Sequence, residues 1–176
     1  MIYVLDASAV IAIFREEAGK EKVWDILREA EKGTVTVYIS KVNLIEVSYK
    51  FYRDLGKEAN DALLEHIYRM PIQVQSTIAE NVFSEASRLK GTYTMSLGDA
   101  IGLGTAINLN GVFVTSDGEL TEPEAVEHAP VFWFRPPKEK HDKKKLDVNA
   151  VIRRAEEAEK RATKLERRIA ELEAKH

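Results

Sequence analysis

The chain has 176 residues, 44% of them hydrophobic, with no cysteine and a formal net charge of −3. That length holds one ordinary core plus an extension, and the absence of cysteine excludes disulfides, zinc–thiolate sites and cysteine nucleophiles, which fits a reducing compartment such as the cytoplasm. The small net charge hides an asymmetry: residues 1–134 carry 12 Lys and Arg against 20 Asp and Glu, a net −8, whereas residues 135–176 carry a net +5.

Ile2 to Leu5 reads as a short buried strand that stops at Asp6, and Asp6-Ala-Ser opens a helix. The same opening stretch is apolar enough to suggest an export signal, but no basic residue precedes the apolar run and Asp6 interrupts it, so export is not expected. No apolar run approaches the roughly 20 residues that cross a bilayer, and a membrane role is not expected either. Glu21 to Glu31 carries Val23, Trp24, Ile26, Leu27 and Ala30 at helical spacing, ends at Gly33, and leads into a second strand, Val35 to Ile39. Ser40 caps a helix filled by Val42, Leu44, Ile45, Val47, Tyr49 and Phe51 that ends near Gly56. Another helix from Glu58 to Arg69 precedes a third strand, Ile72 to Val74.

Ile78 to Lys90 is amphipathic through Ala79, Val82, Phe83, Ala86 and Leu89, and Ser96 to Leu109 is an almost wholly apolar helix, buried on most sides. Val112 to Thr115 and Val131 to Phe134 are the fourth and fifth strands. Strands separated by helices, with no hairpin signal between them, predict a parallel sheet covered on both faces. From Arg135 the composition changes: residues 135–146 read as a basic linker, and residues 147–176 as an amphipathic, coiled-coil-like helix. Its seam of Val148, Val151, Ala155, Ala158, Ala162, Leu165, Ile169 and Leu172 alternates steps of three and four. That helix either docks on a partner, another copy included, or packs back on its own domain.

Four carboxylates stand out: Asp6 at the end of the first strand, Glu46 among Leu44, Ile45 and Val47, Asp99 at the start of the apolar helix, and Asp117 after the fourth strand. No obvious set of basic partners accompanies them, and a carboxylate among apolar groups is costly unless something pairs with it. Singly, three have ordinary explanations: Asp6 as a helix cap, Asp99 as half of a Ser96-x-x-Asp99 capping box, Asp117 as a turn residue. Jointly they fall where the strand ends and helix starts of an open parallel sheet form a crevice. Clustered carboxylates repel unless a cation neutralises them, and Mg2+ or Mn2+ suits such oxygen donors. Ser8, Thr115 and Ser116 are candidates to bond the carboxylates or a substrate phosphate, although caps and turns use hydroxyls in the same way.

Other chemistries lack their signatures. His66, His128, His141 and His176 show no zinc-like spacing and read as surface residues. Gly102-Leu-Gly104 lacks the third glycine of a dinucleotide fingerprint and reads as close helix packing.

Four segments, Val4-Leu-Asp6-Ala-Ser8-Ala, Ile39-Ser-Lys-Val-Asn43-Leu-Ile-Glu46-Val, Ser96-Leu-Gly-Asp99-Ala and Val114-Thr-Ser-Asp117, occur in an order and spacing that resembles the PIN-domain ribonucleases, most of all their VapC toxin branch. The resemblance covers residues 1–134. It implies a three-layer α/β/α fold with a parallel sheet in the order 3-2-1-4-5, and a divalent metal, Mg2+ or Mn2+, held by Asp6, Glu46, Asp99 and Asp117 as the catalytic set. It further implies endonucleolytic cleavage of RNA and a VapB-like antitoxin as partner; a homodimer is the expected assembly. Asn43 and Thr115 match positions that are often polar near the site. Lys138, Lys140, Lys143, Lys144 and Lys145 in the linker would hold RNA phosphates, unless they are only a solvated spacer. The rivals are a stand-alone RNA-processing nuclease, a binding module with a structural ion, a self-associating scaffold, and a nuclease directed at DNA.

Overall fold

The computed structural model describes residues 1–137. The five linker lysines, the apolar seam and the coiled-coil-like helix lie outside the described residues, as do His141 and His176.

The chain runs β1 (Ile2–Leu5), α1 (Ala7–Phe14), α2 (Lys20–Glu31), β2 (Thr36–Ser40), α3 (Lys41–Leu55) and α4 (Lys57–Arg69). It continues through β3 (Gln73–Gln75), α5 (Glu80–Thr92), α6 (Leu97–Asn108), β4 (Val112–Thr115), α7 (Thr121–Glu127) and β5 (Val131–Trp133). The strands form one sheet in the order β3-β2-β1-β4-β5. Every pairing is parallel. The expected architecture and strand order are therefore present. In β1 and β4, Val4 and Phe113 face one core while Leu5 and Val114 face the other, as the period of two requires. Helices α1 to α4 supply the core on the Leu5 side, and α5 and α6 that on the Val4 side. No described helix is long and apolar enough to cross a membrane.

Register places the functional edge. Leu5 pairs with both Ile39 and Val114, so β1, β2 and β4 end level with one another. Asp6, Ser40 and Thr115 thus stand side by side where α1, α3 and the loop after β4 begin. Ser40 caps α3 as expected, its Oγ accepting from the Asn43 N–H at 3.0 Å. Gly33, at φ +73°, ends the turn after α2 in the left-handed region that a side chain resists.

Several local expectations are corrected. Strands β2 and β3 are Thr36–Ser40 and Gln73–Gln75, one residue later than their apolar runs suggest, because pairing with β1 and β2 rather than hydropathy sets the register. Phe83 is 58% exposed and Ile78 is 47% exposed, ahead of the helix rather than in it; Glu80 starts α5. Ile45 and Tyr49 also face outward rather than filling the core side of α3 with Leu44, Val47 and Phe51. Helix α7 was not anticipated, since Thr-Glu-Pro-Glu carries no apolar stripe. Its anchors are polar: Glu127 accepts from Arg88 at 2.7 Å and from the Tyr93 hydroxyl at 2.5 Å, and Glu124 accepts from the Trp133 indole at 2.7 Å. His66 is half-buried rather than on the surface, its ring set edge-on to Phe14 with centroids 5.8 Å apart. Arg135, assigned to the linker from its neighbours, is 8% exposed and forms an ion pair with Glu17 at 2.6 Å.

Candidate metal centre

Asp6 occupies the N-cap position of α1, but its side chain makes no capping bond. Its carboxylate is instead held by neutral donors: the Ser8 hydroxyl at 2.5 Å and the Thr115 hydroxyl at 2.8 Å on Oδ2, and the Asn43 amide at 3.2 Å on Oδ1. Asn43 is fully buried, and its carbonyl accepts from the Ser40 hydroxyl, which turns the amide N–H toward Asp6. Thr115 also accepts from the Asp117 N–H at 3.0 Å, so one hydroxyl ties the end of β1 to the loop after β4. Ser116 takes part through its backbone, whose N–H donates to Ser8 Oγ at 3.2 Å. Two of the three candidate hydroxyls, those of Ser8 and Thr115, and the Asn43 amide therefore converge on one acid, across separations of up to 109 residues, whereas the Ser116 hydroxyl does not bond it.

Asp99 sits in the first turn of α6, where Ser96 caps the helix by accepting from the Asp99 N–H at 3.0 Å. The Ser96 hydroxyl donates in turn to Asp99 Oδ2 at 2.7 Å. A closed capping box would bring the Asp99 carboxylate back onto the Ser96 N–H. Here Glu119 takes that N–H, at 2.6 Å. Asp99, Asp117 and Glu119 each offer a carboxylate oxygen within 4.8 Å of the other two. Glu119 was not among the sequence candidates; its signal was only the Asp-x-Glu spacing in a turn. Asp117 does serve as the expected turn residue, its Oδ1 accepting from the Glu119 N–H at 3.0 Å.

Glu46 approaches from α3. A Cβ built at Gly98 would lie 3.4 Å from Glu46 Oε2 and 3.5 Å from Asn43 Nδ2, so the absence of a side chain at 98 lets both groups close on the start of α6. The expectation that the acids lack basic partners needs one correction: Lys50, one turn along α3, is bonded to Glu46.

Asp6 and Asp99 are each 4% exposed. Burial pushes Asp6 upward from its ordinary value, the Ser8 and Thr115 hydrogen bonds pull it back, and the charges of Glu46 and Asp117 raise it again. Burial, followed by the charge of Asp6, pushes Asp99 up to about 8, with Asp117 and Glu119 adding to the rise. Desolvated carboxylates that raise one another are groups that a cation would relieve. The donors are all oxygen and mostly anionic, which fits a hard divalent ion.

A family model described as PIN domain matches residues 3–125. The chain belongs to the PIN-domain family. No curated protein matches it. Solved structures share the PIN fold: VapBC-1 from nontypeable Haemophilus influenzae is 16% identical, with 76% of this chain and 98% of that one covered and a TM-score of 0.59. DNA-bound VapBC from Salmonella typhimurium is 20% identical, covering 77% of this chain and 99% of that one, with a TM-score of 0.56. The VapC20 toxin of Mycobacterium tuberculosis, described as cleaving the sarcin-ricin loop, is 16% identical, covering 70% of this chain and 95% of that one, with a TM-score of 0.55.

Proposed function

We propose that this PIN domain is a divalent-metal-dependent endoribonuclease, the toxin of a toxin–antitoxin pair with a VapB-like antitoxin, in which Asp6, Glu46, Asp99 and Asp117 are the metal-holding catalytic set. The observation that carries the reading is that buried Asp99 lies with Asp117 and Glu119 in one carboxylate group, close enough to buried Asp6 to be raised by its charge, with no Lys or Arg bonded to any of these four among the described residues. Mg2+ or Mn2+ held there would supply Lewis acidity and lower the pKa of water for phosphodiester hydrolysis.

The remaining tasks belong to the protein. Ser8, Thr115 and Asn43 hold the Asp6 carboxylate in one orientation, which reduces the reorganisation needed when a ligand arrives. The Ser96 hydroxyl does the same for Asp99. Lys50 offsets the charge of Glu46, so the crevice is less repulsive to an incoming phosphate. The toxin-type reading and its antitoxin draw on the VapBC complexes that share the fold.

The test is incubation of the purified chain with total cellular RNA, with and without chelator, and mapping of new ends. Discrete cleavage sites that vanish with chelator are expected. Cutting that persists in chelator would remove the metal from the account, and intact RNA under all metals would remove the activity.

A further inference from the structure

Two chain segments bear the three carboxylates that lie within 4.8 Å of one another. Residues 88–99 run from α5 into the first turn of α6 and bear Asp99; residues 117–127 run from the end of β4 through α7 and bear Asp117 and Glu119. Glu119 joins the segments at one end by taking the Ser96 N–H at 2.6 Å. They are joined again at the other end. Glu127, the last residue of α7, accepts from Arg88 Nη1 at 2.8 Å and from Nη2 at 2.7 Å, one bond to each carboxylate oxygen, and from the Tyr93 hydroxyl at 2.5 Å. Glu85, one turn earlier on α5, steadies the same guanidinium through Nη2 at 2.7 Å and Nε at 3.3 Å. Helix α7 has few apolar contacts of its own: Pro123 is buried, but Val126 is 65% exposed. A segment of that kind opens at low cost, so its polar anchors decide where it rests. Leu120, just ahead of α7, is fully buried and pins the loop to the core. With Leu120 as one fixed point and Glu127 as a second, the Asp117–Glu119 turn is kept from pivoting.

We propose that Arg88, Tyr93 and Glu127 form a clasp that positions the metal centre, holding the Asp117–Glu119 turn against Asp99 so that their carboxylates converge, while touching neither ion nor substrate themselves. The inference rests on the metal-holding part of the nuclease reading and adds to it three residues outside the carboxylate set. Ligands serve an ion well only when their supports hold them in place. An exposed ion pair adds little to global stability, so loss of the clasp is felt in ion binding before it is felt in unfolding. The clasp is a fixed brace and not a switch: the hydrogen bonds from Arg88 and Tyr93 hold Glu127 down at about 2, and the bond to Glu127 pushes Tyr93 up to about 12. Neither group titrates between those limits.

The experiment titrates the full chain with Mn2+, reading the free ion by its EPR signal, and follows melting of the metal-free protein by circular dichroism. Glu127→Gln is expected to raise the Mn2+ Kd about fivefold, less than the roughly tenfold or more lost with a direct partner of a ligand, and Tyr93→Phe about threefold. Arg88→Gln should cost more than Glu127→Gln, because it leaves Glu85 and Glu127 facing each other without the cation they share. Adding Glu127→Gln to Arg88→Gln should then bring no further loss, and Arg88→Lys, which keeps the charge, should fall between Arg88→Gln and the parent. Arg15→Gln is the control. It breaks the Arg15–Asp54 pair between the far ends of α1 and α3, at the opposite edge of the sheet, and should leave the Mn2+ Kd within twofold whatever it does to melting. A Kd within twofold of the parent for both Glu127→Gln and Tyr93→Phe overturns the clasp. So does an equal rise in Arg15→Gln, since the site would then report only general loss of stability. A parent chain that binds no Mn2+ sinks the clasp and the metal centre together. Weakened binding in the clasp variants of a parent that cuts no RNA leaves the clasp standing and sinks the nuclease reading; metal-dependent cutting with unchanged affinity in the variants does the reverse.

Discussion

A carboxylate at 4% exposure, held by a single hydroxyl and surrounded by other acids, is kept from water at a cost, and Asp99 bears that cost most visibly. Its folded value of about 8 lies above the ordinary 3.8, so the native state binds the extra proton between those limits. Stability is therefore undiminished at the acid end of that window and falls as pH rises through it. Asp99→Asn keeps the size and discards the charge. The metal-free variant should melt about 3 °C or more above metal-free wild type at pH 8, with the gap closing toward pH 5, while cleavage falls by orders of magnitude. Calorimetry at the two pH values checks the first part. An Asn variant no more stable than wild type at pH 8 would show that burial of this charge is compensated by groups not identified above.

At the scale of elements, the site depends on how closely α6 lies against the sheet and α3. A Cβ on Gly102 would fall 2.4 Å from Phe113 Cε2 and 3.2 Å from Asn43 Oδ1. Phe113 and Asn43 are both fully buried, so neither ring nor amide has free space to retreat into. Gly102→Ala is expected to lower stability by about 1–3 kcal/mol, seen as a reduced urea midpoint at unchanged slope. Cleavage should weaken as well, because Asn43 orients Asp6. A midpoint equal to that of wild type would mean that α6 shifts without cost. The reading of Gly102 and Gly104 as packing residues agrees with these contacts: a Cβ at Gly104 would lie 3.2 Å from the Ala86 nitrogen of α5. Strand and helix identities were legible because β-branched runs and three-four spacing survive in the sequence. Helix α7 was not, because its anchors, Arg88, Tyr93 and Trp133, come from other elements.

For the whole molecule, an ion held by the acid cluster as proposed would link folding to metal and to pH. Protons and a divalent ion compete for the same oxygens, so Mg2+ or Mn2+ should raise the melting temperature more at pH 8 than at pH 5.5. At about 100 times Kd the ion adds about 2.7 kcal/mol to stability. Melting curves with and without metal at both pH values test this, and a metal shift that is absent, or larger at pH 5.5, would show that the carboxylates do not share an ion. By itself, the sequence determined the alternation of strands and helices, the parallel sheet, the positions of Asp6, Asp99 and Asp117 at element ends and that of Glu46 within a helix, since hydrophobic period and caps are local properties. Tertiary structure alone decided that Glu119 joins the cluster, that Lys50 pairs with Glu46, and that Ile45, Tyr49 and Tyr52 face outward. The reason is that burial and charge pairing depend on which elements pack together, and a helix carries no mark along its own length of which of its faces a neighbour will cover.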